Sequence, residues 1–185
     1  MKNKYFFILI LAFGFLSCSE NTPRKPIQHR SGSYFKESVE ISKKHNDIEE
    51  TEIKRVIALD SLNNYEASTF GFWYYFDKKN EDNNASSPKA TDIVDVNYEI
   101  LNLYGEVIYK KEEIGDKKII IDKEHEIQGL NEGLKLMKEG ESVTFVFPSY
   151  MAYGLNLQQE DPRIGQKQPL IYKVELKSII KNNQK

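Results

Sequence analysis

The side chains of this chain best suited to chemistry are an aromatic and aliphatic set spread over separate segments: Tyr98, Ile108, Ile127, Leu130, Tyr150, Tyr153 and Tyr172. Side chains of this kind act by excluding water, with a phenolic hydroxyl as the polar handle. Brought together they would line an apolar cleft; taken singly, each reads as ordinary core. More familiar chemical groups are sparse. No Gly-rich phosphate loop occurs. The three histidines, His29, His45 and His125, are scattered. Only His125 falls near the aromatic set, where it reads as a solvated loop residue. Without a Cys/His ligand cluster, neither metal nor cofactor is expected. Nothing in the sequence supports asserting a serine and base at triad spacing, and most carboxylates lie in charge runs typical of solvated faces.

The elements that must position this set can be read from periodicity. Phe145 to Gly154, FVFPSYMAYG, is a buried strand ending at Pro148, then a loop carrying Tyr150 and Tyr153 that breaks at Gly154. Ahead of it, Gly129 to Glu139 predicts a helix with Leu130, Leu134 and Met137 on one face, and Gly140 can end it in the left-handed conformation. Asp92 to Leu103 alternates as a half-buried strand. Tyr104-Gly105 marks a turn and Val107 to Tyr109 resumes the sheet as a hairpin. Thr69 to Asp77 is an aromatic strand, Lys78 to Lys89 a polar loop, and Lys117 to Asp122 a short β-branched strand. Ser142 to Phe147 and Leu170 to Ile180 are strands, separated by a long polar loop from Leu155 to Gln168. Tyr34 to Leu62 reads as one or two amphipathic helices with a thin stripe at Phe35, Val39, Ile48, Ile53, Val56, Ile57 and Leu59. That stripe either packs on its own domain or joins two copies as a homodimer through residues 34–62. The pattern is α+β: an antiparallel β-sheet wrapped around one short helix, preceded by an N-terminal helical segment.

Composition limits the partners. The chain has 185 residues and a net charge of −2. No concentrated basic patch is present, so nucleic acid is not an expected partner. The only cysteine, Cys18, follows Lys2, Lys4 and an apolar run from Tyr5 to Leu16, which suits a signal-peptide core. FLSC resembles a bacterial lipobox, with Phe15 where an aliphatic residue is usual. Residues 1–17 are therefore expected to be a lipoprotein signal peptide. Cys18 would be the lipidated (palmitate-bearing) anchor to a membrane. Residues 18–33 would be a flexible tether, 34–66 the helical segment and 67–182 the principal domain. The expected location is the cell envelope, outside the cytoplasm, on the periplasmic face of the outer membrane. Asp60-Ser61-Leu62 resembles an O-glycosylation site of some gliding bacteria, although Ser61 also fits an ordinary helix-ending turn.

From about Phe70 to Ile180 the sequence resembles the FK506-binding type (FKBP) of peptidyl-prolyl cis–trans isomerase. The resemblance is carried by the strand through Tyr98, the turn at Gly105, IQGLNEGLKLMKEG at Ile127 to Gly140, FPSYMAYG, and LIYKVEL at Leu170 to Leu176. It implies an apolar cleft between sheet and helix that receives a prolyl residue. Tyr98, Ile108, Tyr109, Leu130, Tyr150 and Tyr172 would contribute to substrate binding. Tyr153, through its hydroxyl, and Ile127, through its backbone N–H, would hold peptide carbonyls as the catalytic pair. No cofactor, metal or nucleophile is implied. Two positions depart from the family: Ile108-Tyr109 stands where a Phe-Asp pair is usual, and Leu130 where a Trp often forms the floor. The resemblance implies a rotamase assisting the folding of exported proteins through their proline-containing segments. The departures leave open a binding module or chaperone of the same fold with weak catalysis. The mature chain also resembles a narrower group, the lipoprotein isomerases of gliding motility (GldI type), in Cys18 with its leader, in SGSYFKES at Ser31 to Ser38 and in GFWYYFDKK at Gly71 to Lys79.

Overall fold

The structure, a computed structural model, describes residues 31–82, 84–123, 126–155 and 163–182. Cys18, the leader, most of the tether and His125 lie outside the described residues. The chain forms two compact units, Met1–Ser38 and Val39–Lys185. The described part of the first is the opening of helix α1 (Ser31–Leu59), where Phe35 is exposed. A single helix thus occupies the range expected to hold one or two, and it begins three residues inside the expected tether. With no Pro or Gly after Gly32, nothing interrupts it. Its surface is braced by Glu50–Lys54 and Glu52–Arg55 pairs, each 2.7 Å.

Within the second unit the strands are β1 (Glu66–Ala67), β2 (Trp73–Lys78), β3 (Ile93–Asn102), β4 (Val107–Tyr109), β5 (Lys117–Ile120), β6 (Ser142–Phe147) and β7 (Leu170–Ile180). They form one antiparallel sheet in the order β1-β2-β6-β7-β3-β4, with β5 also paired to β3. Two short helices interrupt the strands: α2 (Lys111–Ile114) between β4 and β5, and α3 (Gln128–Leu134) before β6. Alternation in β3 and β7 sends Val94, Val96, Tyr98 and Ile100, and Leu170, Tyr172, Val174 and Leu176, to one face, where Leu130, Leu134 and Met137 meet them. One end of the opposite face is covered by α1, while Lys173, Glu175 and Lys177 on the same face of β7 remain exposed. Ile53, fully buried, packs with Leu103 and Val146, bordered by Val56, Ile57, Trp73 and Ile171. Covered on both faces, β6 is buried from Val143 to Phe147 without a break.

Three local features depart from the sequence expectation. The strand expected from Thr69 starts at Trp73, because Ser68 to Gly71 form a turn closed by Ser68 N–H to Phe72 O at 2.8 Å. Helix α2 was not anticipated; Glu113 folds back to accept the Lys110 N–H at 2.8 Å and closes a single turn. Helix α3 ends at Leu134 rather than Glu139. Bonds from Leu136 N–H to Gly133 O and from Met137 N–H to Leu134 O tighten the chain, yet Met137 still reaches the core. Gly140 then adopts φ +81° and donates its N–H to Leu176 O at 2.7 Å, tying the turn to β7.

Candidate active site

Helix α3 lies on β6 through two glycines one turn apart. A Cβ at Gly129 would stand 2.5 Å from the Phe147 ring, and one at Gly133 would stand 2.9 Å from Phe145. The helix backbone therefore rests directly on two stacked rings, whose centroids are 5.4 Å apart. That close approach sets Leu130, wholly buried, and Ile127, at the N-terminal boundary of α3, against the inner face of the sheet. The Ile127 carbonyl accepts the Asn131 N–H at 3.2 Å. Its own N–H precedes the first intrahelical bond and is one of the orphan donors of a helix start. Buried Asn131 fixes the entry loop, accepting the Asp122 N–H at 3.2 Å.

Tyr98 on β3 and Tyr172 on β7 face each other with ring centroids 5.4 Å apart. Phe147 meets Tyr172 edge-on at 5.5 Å. After β6 the turn Ser149–Met151 leads to Tyr153, whose hydroxyl lies 3.3 Å from the Tyr172 hydroxyl. The Tyr172 hydroxyl is held well above the usual phenol range, first by burial and then by Tyr153, Tyr98 and Glu126. It stays neutral and cannot serve as an anionic base near neutral pH. The structure thus brings Tyr98, Ile127, Leu130, Tyr153 and Tyr172 into one core cluster, with Tyr109 beside them and Ile108 packed at its edge. Tyr98, Ile127 and Tyr109 keep 6, 7 and 9% of their surface, whereas Tyr153 and Ile108 are half-buried and pack at the cluster's edge.

Tyr150 goes elsewhere. It is 47% exposed and donates its hydroxyl to the Gly71 carbonyl at 3.1 Å. Its hydroxyl is raised by burial and by the neighbouring Glu50 and Glu49 of α1. In a tight turn, Tyr150 and Tyr153 cannot both point inward, and sequence spacing alone does not reveal which one does. An apolar hollow of about 340 Å³ between α1, the β3–β4 turn and Pro169 shares no residue with the aromatic cluster.

Two further residues were not singled out from sequence. Ile164 is 3% exposed and joins the cluster from the polar loop. The only signal was one branched apolar residue before Gly165. Its neighbour Arg163 lays its guanidinium 3.6 Å from the Tyr109 ring centroid and reaches Glu113 at 3.3 Å. At Tyr109, where the family's acid is expected, a ring and a cation thus stack. Among the described residues no group of three or more His, Cys, Asp or Glu side chains is arranged to hold a metal.

Solved structures of similar fold include FkpA from Escherichia coli, at 22% identity and TM-score 0.58 over 97% of this chain and 82% of that one. A peptidyl-prolyl cis-trans isomerase from Pseudomonas syringae pv. tomato aligns at 18% identity and TM-score 0.57, over 73% of this chain and 96% of its own. The N-terminal domain of FKBP42 from Arabidopsis thaliana aligns at 19% and 0.56, over 64% and 93%. No curated protein matches the chain in sequence. The model of the FKBP-type peptidyl-prolyl cis-trans isomerase family matches residues 84–177, from the approach to β3 through most of β7. That match takes in just over half the chain, with Tyr98, Tyr109, Ile127, Leu130, Tyr153 and Tyr172 all inside it, so the chain belongs to the FKBP-type peptidyl-prolyl cis–trans isomerases and is an enzyme acting on proline-containing peptides.

Proposed function

We propose that this isomerase works in the cell envelope on proline-containing segments of exported proteins, with lipidated Cys18 as its anchor on the periplasmic face of the outer membrane. Gliding motility is the process it serves. The observation that carries the catalytic part is the convergence of Tyr98, Tyr172 and Tyr153 beside Ile127 and Leu130, with the Tyr153 and Tyr172 hydroxyls 3.3 Å apart. The envelope location is supported by Cys18 directly after an apolar leader, and the motility role by SGSYFKES and GFWYYFDKK.

The chemistry follows from the amide itself. Rotation about a peptide bond must break resonance worth a barrier of roughly 18–20 kcal/mol, and X-Pro bonds turn over in tens to hundreds of seconds. A planar amide separates more charge than a twisted one. A dry, apolar surround built from Tyr98, Leu130, Ile127 and Tyr172 disfavours the planar form relative to the twisted form, which is selective stabilisation of the transition state. The prolyl ring enters past the half-buried Tyr153 and Ile108. The Tyr153 hydroxyl and the Ile127 N–H then hold the flanking carbonyls while one side of the bond rotates. No proton changes hands, in keeping with a Tyr172 hydroxyl that stays neutral.

An NMR exchange assay on an X-Pro peptide tests the catalysis. Tyr153→Phe should lower kcat/KM roughly tenfold, the loss of one oriented hydrogen bond; an unchanged rate removes Tyr153 from the mechanism. Cys18→Ser should move the protein from the membrane to the soluble fraction and abolish palmitate labelling, and it should impair surface spreading of the cells. A second reading, a binding module of weak catalysis, draws on the Arg163–Tyr109 stack in place of a carboxylate. Tyr109→Asp separates the two: a large gain in turnover favours the binding module, and a loss favours the enzyme as it stands.

A further inference from the structure

The loop that carries Tyr153 is held by a residue far outside the family's matched segment. Ser149 opens the turn after β6, and the residue before it, Pro148, makes no side-chain cap. The N–H of Ser149 is buried and needs an acceptor. That acceptor is the Oε1 of Glu49, on α1 and 100 positions away in sequence. Ser149 is fixed on its other side as well, its carbonyl accepting the N–H groups of Gly154 at 2.8 Å and Ala152 at 3.1 Å. The run from Ser149 to Gly154 is thereby closed on the carbonyl of Ser149 while its N–H is held by Glu49, and Tyr153 projects from it to Tyr172. One helical turn beyond Glu49, Ile53 seats α1 on Val146. The helix consequently runs along β6 with Glu49 opposite the strand's end.

Glu49 is 7% exposed, and among the described residues its second oxygen, Oε2, has no hydrogen-bond partner. Burying a polar oxygen without a partner is unfavourable, and it offsets part of what the bond from Ser149 contributes to stability. The geometry points to a different role, one that rests on the isomerase reading above: Glu49 is a positioning residue that caps the Ser149–Met151 turn from α1 and sets Tyr153 at the mouth of the prolyl cleft. The N-terminal helix is then part of the catalytic apparatus, although the family's sequence pattern begins only at residue 84.

The test compares two variants of the full chain. Glu49→Gln keeps a carbonyl oxygen where Oε1 stands; Glu49→Leu removes the acceptor and fills the space with an apolar, helix-favouring side chain. In the X-Pro exchange assay Glu49→Leu should lose roughly tenfold in kcat/KM, mostly in kcat, because a displaced catalytic group costs turnover before it costs binding. Glu49→Gln should stay within about twofold. The thermal midpoints of both should lie within roughly 3 °C of wild type, since Glu49→Gln keeps the acceptor and Glu49→Leu removes the partnerless buried oxygen together with the cap. A purely structural role would lower midpoint and activity together in Glu49→Leu, and that result overturns the assignment, as do unchanged kinetics or an equal loss in both variants. Hydrogen exchange at the Ser149 amide and the Tyr153 ring resonances give a readout independent of turnover. Both should change in Glu49→Leu and persist in Glu49→Gln. If wild type proves inactive while these signals behave as stated, the catalytic reading fails and the hold of Glu49 on the loop stands; if they do not respond to Glu49→Leu, the positioning itself is refuted.

Discussion

Replacing Gly129 by Ala adds one methyl group at the point where α3 rests on β6, and the geometry fixes what must follow. The new Cβ would stand 2.5, 2.7 and 2.9 Å from Cδ1, Cγ and Cε1 of Phe147. The ring cannot swing away. It is wholly buried, stacked on Phe145 at 5.4 Å and met edge-on by Phe72 at 5.3 Å and by Tyr172 at 5.5 Å. The helix must therefore lift, carrying Leu130 and Ile127 away from the core they share with Tyr172. Overpacking of this kind costs about 1–3 kcal/mol, and three simultaneous ring contacts put it at the upper end. Ala gains about 1 kcal/mol over Gly inside a helix, so the net loss should be about 2 kcal/mol. For a unit of this size that lowers the thermal midpoint by about 4–8 °C. Gly133 serves as the internal control. Its Cβ would meet Phe145 at 2.9, 3.0 and 3.3 Å, a milder clash that the helix preference largely offsets, so Gly133→Ala should cost less than about 1 kcal/mol. Urea unfolding followed by the fluorescence of Trp73, the only tryptophan, gives both values. Equal midpoints for the two variants, or a Gly129→Ala protein as stable as wild type, would refute the claim that backbone-to-ring contact sets the position of α3.

Alkali should unfold the protein as tyrosines ionise. Tyr172 is raised by burial and then by its tyrosine neighbours, and Tyr65 by burial and then by its bond to Asp60. Groups raised in the fold lend stability that is complete below the unfolded value near 10 and declines as pH climbs from there toward the folded value, so tyrosinate absorbance and loss of circular dichroism should rise together above about pH 10. Asp92 works in the opposite direction. Burial pushes its carboxyl up, but bonds from the Lys89 and Asn182 N–H groups and from Lys181 outweigh that and leave it below the usual value. Its contribution is present above about pH 4 and lost as pH falls further, and Asp92→Asn should cost about 1–3 kcal/mol at neutral pH and flatten the acid limb of a stability–pH curve. Ile53→Ala, on the far side of the sheet, should cost about 2–5 kcal/mol in urea titration despite lying outside the family segment. A cost below about 0.5 kcal/mol would mean that α1 is not integral to the fold.

Most strands were legible because one face lies in the core; β1, exposed at both of its residues, carries no such pattern and was not expected. Alternation survives in β3 and β7, and the sequence expectation for β6 and β7 coincides with the observed Ser142–Phe147 and Leu170–Ile180. The aromatic cluster was legible for a related reason. Tyr98 and Tyr172 occupy inward positions of paired strands, so strand periodicity already sends them to the same face. What failed to show was whatever depends on a turn or on contact between distant segments. Tyr153 turns in to the Tyr172 hydroxyl and Tyr150 out to the Gly71 carbonyl, contacts between segments far apart in sequence, and Glu113 folds α2 through a local bond that leaves no periodic trace. Glu49 looks in sequence like any other acid on a charged helix. Only the fold reveals that it alone, among the acids of Asp47–Glu52, is buried and bonded to the strand end opposite.

That contrast bears on where the catalytic unit begins. The family pattern starts at residue 84, yet β2 (Trp73–Lys78) pairs along β6 and α1 covers the outer face of the same strand at Val146. A chain cut at the family boundary would leave β6 with an unpaired edge and an apolar outer face, the two conditions that favour strand-to-strand aggregation. It would also leave the Ser149 N–H without its acceptor. The segments that sequence motifs describe least well therefore extend the sheet beyond β6, cover one end of its second face and hold the loop that carries Tyr153. Their position makes them part of the enzyme's architecture rather than a spacer before it.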